Sequence, residues 1–391
     1  MASTDKRERD GQTSWRVRYR DPSGAQRNKS FVRKVDAAAF AATVEADKLR
    51  GAYIAPNAGR LTFKEYADGW LERQTFGRST RDAVALRLRL HVYPMLGSLR
   101  LQNVRASTIQ AWLRGLGRLA PSYQRAIYVD VSAIFAAAVD DERLAKNPCR
   151  AGSVKRPRVE QRKVVPWPAE RVLAVRDALP ERYAIVVALG AGLGLRQGEM
   201  FGLSPDDVDF LRGVVHVRRQ VRLYSDGRQV FAAPKHRRDR DDPREVPLPA
   251  SVRDTLAAYL AAWPAQTVEL PWSETDGEPA TVPLIVTSRE HKAMNRNYFN
   301  AHVWKAALRV AGAEPSRENG CHALRHFYAS VLLDAGESIR AVSDYLGHRD
   351  PGFTLRTYTH LMPASSERTR RAVDDALSCV PDVSQGSKAR P

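Results

Sequence analysis

Four residues in the last fifth of this 391-residue chain have the types and spacing to work on a phosphate: His322, Arg325, His348 and Tyr358, within HALRHFYASVLLDAGESIRAVSDYLGHRDPGFTLRTYTHL. His322 and Arg325 stand three apart at the start of an expected helix, so their side chains share a face and can converge on one anion. Gly347 follows a helix expected to end at Leu346; a left-handed cap there turns the chain and presents His348. Ten residues on, Tyr358 offers a hydroxyl nucleophile on a helix entered through Pro351-Gly352. Upstream, Gly192-Leu-Gly-Leu-Arg196 places an arginine after an apolar helix, with Glu199 one turn on to hold its guanidinium. Two arginines suit a phosphoryl transition state, because each brings a permanent charge and a planar fork to the equatorial oxygens. Lys235, in the turn after FAAP, adds a mobile ammonium able to donate a proton. Taken singly, each has an ordinary explanation: an ion pair at a helix end, a structural histidine, one more lysine in a solvated loop.

The elements that must position these groups lie in a basic, multidomain chain. There are 62 Lys and Arg against 44 Asp and Glu, a formal net charge of +18, and the pI is about 10.1. The length exceeds that at which single cores stop growing, so two or three domains are expected. The charge favours a polyanionic partner, nucleic acid ahead of an anionic membrane surface, over a merely basic surface. Cys149, Cys321 and Cys379 are odd in number and lack CxxC or HxxxH spacing, which argues against a disulfide framework and a zinc site. No metal or other cofactor is expected. MASTDKRERD is too polar for a signal peptide, and the apolar run Ala184–Leu195 is too short to span a bilayer. A cytoplasmic, nucleoid-associated protein with no membrane partner is expected.

In chain order, residues 14–35 alternate, with Trp15, Val17 and Tyr19 on one side and Arg16, Arg18 and Arg20 on the other. That period of two predicts a strand, Asp21–Gly24 a turn, and Phe31-Val32 a second strand. Asp36 is the expected N-cap of a helix stopped by Gly51. An arginine-bearing strand face suits a DNA groove, and a solvated sheet face explains the same alternation. After a linker over 52–60, Thr62 and Glu65 form a capping box, and Ser79 with Asp82 a second one opening a helix that Pro94 ends. Helices at about 106–116 and 121–141 complete an all-helical domain over 61–148. Residues 149–165, with Lys155, Arg156 and Arg158, read as an extended basic linker able to lie along a phosphate backbone. From 166 to 375 the pattern is mixed. Helices are expected at 168–178 and 181–192, then a strand pair around VVHVRRQV and RQVFAA, a charged turn and a short strand REVPLP. Further helices follow at about 249–262, 296–311, 322–334, 338–346 and 353–361. The end, within 376–391, looks disordered.

The residues together resemble the tyrosine recombinases of the phage integrase family, of the kind that carries an arm-binding domain. GLGLRQGEMFGL, APKHRRDRDDPREVPLP, CHALRHFYAS, LGHRD and TLRTYTHL occur in the family's order over 166–362, and HVYPMLGSLRLQNVRASTIQAWL resembles its core-binding domain. The expected architecture is mainly α: a small β-sheet plus helix as N-terminal arm-type domain (1–55), a helical core-binding domain, and an α+β catalytic domain.

The resemblance implies that Arg196, Lys235, His322, Arg325 and His348 surround the scissile phosphate and that Tyr358 attacks it. A free phenol is mostly un-ionised at neutral pH, so attack needs a proton acceptor, for which His322 is the local candidate. Cleavage would leave a 3′-phosphotyrosine and a 5′-hydroxyl protonated by Lys235, and the ester would conserve the bond energy for rejoining without ATP or metal. The implied protein is a site-specific integrase binding arm and core attachment sites on double-stranded DNA as a homotetramer. A DNA-bending host factor and an excisionase are candidate partners. The helix SSERTRRAVDDALSCV offers an apolar stripe that packs on a neighbouring subunit or folds back on its own domain. A type IB topoisomerase-like enzyme and a non-cleaving DNA-binding regulator of the same fold are the alternatives.

Overall fold

The protein, seen in a computed structural model, is described over residues 2–9, 12–21, 24–49, 58–159, 163–235, 243–358, 370 and 373–374. The chain divides into two compact units, 1–161 and 162–391.

The first unit opens with an antiparallel sheet of β1 (Ser3–Arg9), β2 (Gln12–Arg20) and β3 (Gln26–Phe31), with β2 central. Alternation along β2 buries Val17 and Tyr19 against Ala37 and Val44 of α1 (Lys34–Leu49). The polar strand β1 carries no hydrophobic period and is held by pairing with β2 and by the Asp5–Arg18 ion pair, which is why the alternation did not reveal it. α1 begins two residues before Asp36. That carboxylate lies in the first turn and pairs with Arg33 at 2.9 Å, so it is not the cap that was expected.

The helical region of the same unit holds α2 (Phe63–Glu72), α3 (Arg78–Arg87), α4 (Ala106–Gly115) and α5 (Pro121–Asp140). Thr62 and Glu65 form the expected capping box. α3 instead starts behind Gly77, so the Ser79–Asp82 pair lies inside it. Nor does Pro94 end the helix: the chain runs on as a π-wound segment, Leu88–Gly97, whose wider turn accommodates the ring and the missing N–H. Phe63, Leu96, Trp112 and Phe135 form the core. Cys149 and Val154 are buried in it, and the Cys149 carbonyl accepts the Tyr128 hydroxyl at 2.8 Å. The first residues of the expected 149–165 linker thus pack on the helical core.

In the second unit, α6 (Ala169–Ala178) leads to α7 (Glu181–Val187), which continues as a π-wound segment, Ala188–Gly192, before the short α8 (Gln197–Phe201). Next come β4 (Val208–Asp209), β5 (Val214–Val217), β6 (Gln220–Leu223), β7 (Gln229–Ala232) and β8 (Arg244–Pro247). They form a β4-β5-β8 sheet and a β6-β7 pair. The expected single strand VVHVRRQV is thus two, broken where Arg218 and Arg219 turn to the buried Asp207 at 3.0 and 2.7 Å. After α9 (Ala250–Ala262), a hairpin of β9 (Gln266–Pro271) and β10 (Pro279–Leu284) appears that the sequence reading did not include.

α10 (Arg296–Tyr298), a π-wound Phe299–Trp304 and α11 (Lys305–Val310) precede α12 (His322–Asp334), α13 (Ile339–Leu346) and α14 (Pro351–Tyr358). One apolar core, including Leu189, Phe201, Phe231, Phe299, Trp304, Leu324 and Leu346, joins these helices to the sheets. The apolar stripe expected in the tail, Ala372, Val373, Ala376, Leu377 and Val380, lies outside the described residues apart from Val373.

Candidate active site

Four separated stretches of chain, 194–199, Arg244, Arg325 and 346–348, meet around one buried carboxylate. Glu199, in α8, is 1% exposed. Its oxygens accept the Arg196 backbone N–H at 2.9 Å and the Arg196 Nη1 at 2.9 Å. On its other side Arg244, the first residue of β8, donates Nη1 to Oε1 at 3.1 Å and Nη2 to Oε2 at 2.7 Å. Burial opposes ionisation of this carboxyl, but Arg244, Arg196 and Arg325 outweigh it and hold the group down at about 2. Two left-handed glycines complete the frame. Gly347 (φ 63) accepts Arg196 Nη2 on its carbonyl at 3.0 Å, and Gly194 (φ 62) accepts Arg325 Nη1 at 2.7 Å. A Cβ at Gly347 would lie 2.6 Å from Arg244 Nη1.

Arg325 is the hub. It is 1% exposed, and beyond Gly194 it donates Nη2 to the Leu346 carbonyl and to His348 Nε2, the latter at 3.1 Å. A guanidinium has no acceptor, so His348 Nε2 must accept and the ring proton sits on Nδ1, donated to Thr354 Oγ1 at 2.7 Å. Burial, then Arg325 and Arg196, keep this imidazole neutral by holding its pKa at about 3. Burial and Arg196 likewise depress Arg325, and Glu199 offsets part of that. Three guanidinium groups against one carboxylate leave the site short of negative charge, the condition a phosphodiester would meet.

α12 starts at His322 because its lead-in is fixed from below. Trp167 and Trp304 stack at 6.2 Å, donating to the Asn319 side chain at 3.1 Å and the Asn319 carbonyl at 2.9 Å, three residues before the helix. His322 is exposed, and its ring meets His326 edge-to-face at 4.6 Å. Crowding by the protein and then His326, Arg325 and Arg196 hold it down at about 4. Tyr358 closes α14 and is 1% exposed; burial lifts its phenol to about 12 against the pull of Arg325. Its hydroxyl lies 2.7 Å from Nδ1 of His326. His322, the expected proton acceptor, is therefore not the ring in contact with it.

The structure thus brings Arg196, Glu199, Arg325 and His348 into one network and sets Tyr358 and His322 beside it through His326. It does not join Lys235 to them: that lysine is exposed just after β7, and residues 236–242 of its turn lie outside the described residues. Arg244 and His326 were missed by the sequence reading. Arg244 opened the expected strand REVPLP, but nothing in its spacing marked it as buried, whereas the His322-x-x-Arg325-His326 spacing already put His326 within reach. Beside Arg196 and His322 opens a cleft of about 480 Å³ whose walls include Arg222, Arg296, Lys305 and Arg317.

Of the residues expected on DNA, Lys155, Arg156 and Arg158 are exposed and, with Arg125 and Arg150, line a basic recess. Arg20 is exposed, Arg18 pairs with Asp5 at 3.1 Å, and Arg16 is half-buried.

Residues 169–364 match the phage integrase family, and residues 62–117 match its N-terminal SAM-like domain. The integrase of Mycobacterium phage L5 is 24% identical over 323 residues, 82% of this chain and 80% of that protein. Among solved structures, the Tn1549 transposon integrase in complex with transposon right end DNA superposes with a TM-score of 0.64 at 18% identity, over 81% of this chain and all of that one. The lambda integrase tetramer bound to a Holliday junction gives 0.54 at 16%, over 87% and 91%. The chain belongs to the phage integrase family and is a tyrosine-type site-specific recombinase.

Proposed function

We propose that this recombinase integrates or excises a mobile element, cleaving each strand through a 3′-phosphotyrosine on Tyr358. The observation that carries the reading is the meeting of Arg196, Arg325 and His348 through hydrogen bonds of 3.1 Å or less, with Tyr358 docked beside them. On this reading Arg196 and Arg325 hold the non-bridging oxygens. The exposed His322 supplies a further donor from the same helix face, while His348 accepts from Arg325 and holds that guanidinium in place. Glu199 and Arg244 touch no substrate. They fix Arg196 in place, since a guanidinium held on two sides loses less freedom when the phosphate arrives. Lys235 protonates the leaving 5′-oxygen from its turn. Attack conserves the phosphodiester's energy in the tyrosyl ester, so rejoining is the same step reversed.

The partners proposed are double-stranded DNA at core and arm sites and, in keeping with the lambda integrase tetramer, a homotetramer on two duplexes. The recess formed by Arg125, Arg150, Lys155, Arg156 and Arg158 is offered to the core phosphate backbone. The sheet bearing Arg16, Arg18 and Arg20 is offered to the arm site. A DNA-bending factor and an excisionase complete the assembly in this reading. A two-site assay tests it: the chain should recombine two marked attachment sites, and relaxation of supercoiled plasmid with no exchange between sites would overturn the integrase reading.

A further inference from the structure

Tyr358 and His326 are held together more closely than the proposed cleavage reaction needs for packing alone. The phenol belongs to the last turn of α14 and the imidazole to the second turn of α12, 32 residues apart in sequence, yet Oη and Nδ1 are 2.7 Å apart. We infer that His326, rather than His322, receives the phenolic proton when Tyr358 attacks. This rests on the proposed role of Tyr358 as nucleophile.

The groups facing His326 are His322 and Arg325 on its own helix and Tyr358 from α14. No carboxylate among the described residues contacts it. With the phenol near 12 and the imidazole near 4, the proton stays on oxygen in the free protein, and Nδ1 accepts the hydrogen bond while Nε2 carries the ring proton. Arg325 is what makes an imidazolium costly there, after burial itself. A phosphodiester seated on Arg325 cancels that charge, so the acceptor becomes competent when substrate is present. The Oη–H bond breaks and the proton passes to Nδ1; the freed lone pair forms the O–P bond; the P–O5′ bond breaks, and its electron pair leaves on O5′, which takes the proton of Lys235. Rejoining returns each proton to its origin.

The test uses the full chain and a nicked duplex selected from a random-sequence library by covalent capture on the native protein. Failure of that capture would sink the proposed nucleophile itself and leave a distinct signature. His326→Asn keeps an acceptor oxygen near the phenol but cannot take its proton. Adduct formation should fall about 100-fold near neutral pH and recover roughly tenfold per pH unit above it, as hydroxide replaces the lost base. His322→Asn should lower the rate without steepening its pH profile. An unchanged rate in His326→Asn, an equal loss at every pH, or the steep profile in His322→Asn instead would each overturn the inference. Should His326→Asn not fold, nitrogen-15 spectra of the native chain decide: Nδ1 of His326 must be the unprotonated nitrogen, and a proton found on it would overturn the assignment.

Discussion

At the residue scale, the chemistry rests on a carboxylate buried among three arginines. Such a cluster is costly to assemble and more costly to break, because removing one partner strands a charge away from water. Arg244→Ala leaves Glu199 with Arg196 alone on its carboxylate. The variant should lose about 3–5 kcal/mol in urea unfolding and form little adduct; native stability would show that Glu199 relaxes to solvent and that Arg244 holds nothing in place. That Arg196, Arg325, His348 and Tyr358 would lie close together was legible in the sequence, because their types and order suit one phosphate site. Arg244 was not: the strand REVPLP was expected to begin with it, but a charge opening a strand beside KHRRDRDD carries no mark of burial until β8 pairs with β5 and takes it inward. The choice between His322 and His326 was hidden for a related reason: both lie within one turn of Arg325, and only the packing of α14 against α12 decides which meets Tyr358.

At the element scale, glycines at two chain reversals do what no side-chain motif specifies. Gly347 ends α13 in the left-handed conformation, turns the chain to His348 and offers its carbonyl to Arg196. Gly347→Ala should cost about 1–2 kcal/mol for the backbone alone. It should also lower adduct formation further than that loss explains, since the new Cβ displaces Arg244. A melting shift with full cleavage activity would mean the cap is structural only. The left-handed cap was readable because a glycine after an apolar helix has few better explanations. The β9–β10 hairpin was not readable. Pro271, Pro279 and Pro283 argue against strands, and they are tolerated here because a two-stranded sheet has an open edge on each side for the missing N–H groups. The π-wound stretches escaped for the converse reason: their hydrophobic period is nearly that of an α-helix, and the difference lies in backbone winding alone.

At the scale of the whole molecule, stability depends on pH through groups kept from protonating. His326 and His348 are held near 4 and 3, below the ordinary imidazole value of about 6.5, so between those limits the unfolded chain binds protons that the native one refuses. Stability should therefore fall as pH drops below about 6.5, and fall again below about 4.5 as Glu199, held near 2, is protonated in the unfolded state first. Melting temperatures measured between pH 7 and pH 4 check this; a flat curve would contradict it. The net charge of +18 was the earliest sign of a polyanionic partner, and it also predicts nothing about which phosphate is cut. The proposed cut is made by Tyr358. The most direct test is a nicked duplex that loses its 5′ fragment on cleavage and so traps the covalent complex. The native chain should give a protein–DNA adduct stable to denaturant and mapping to Tyr358, and Tyr358→Phe should give none. No adduct from the native chain, or an undiminished one from Tyr358→Phe, would contradict the account.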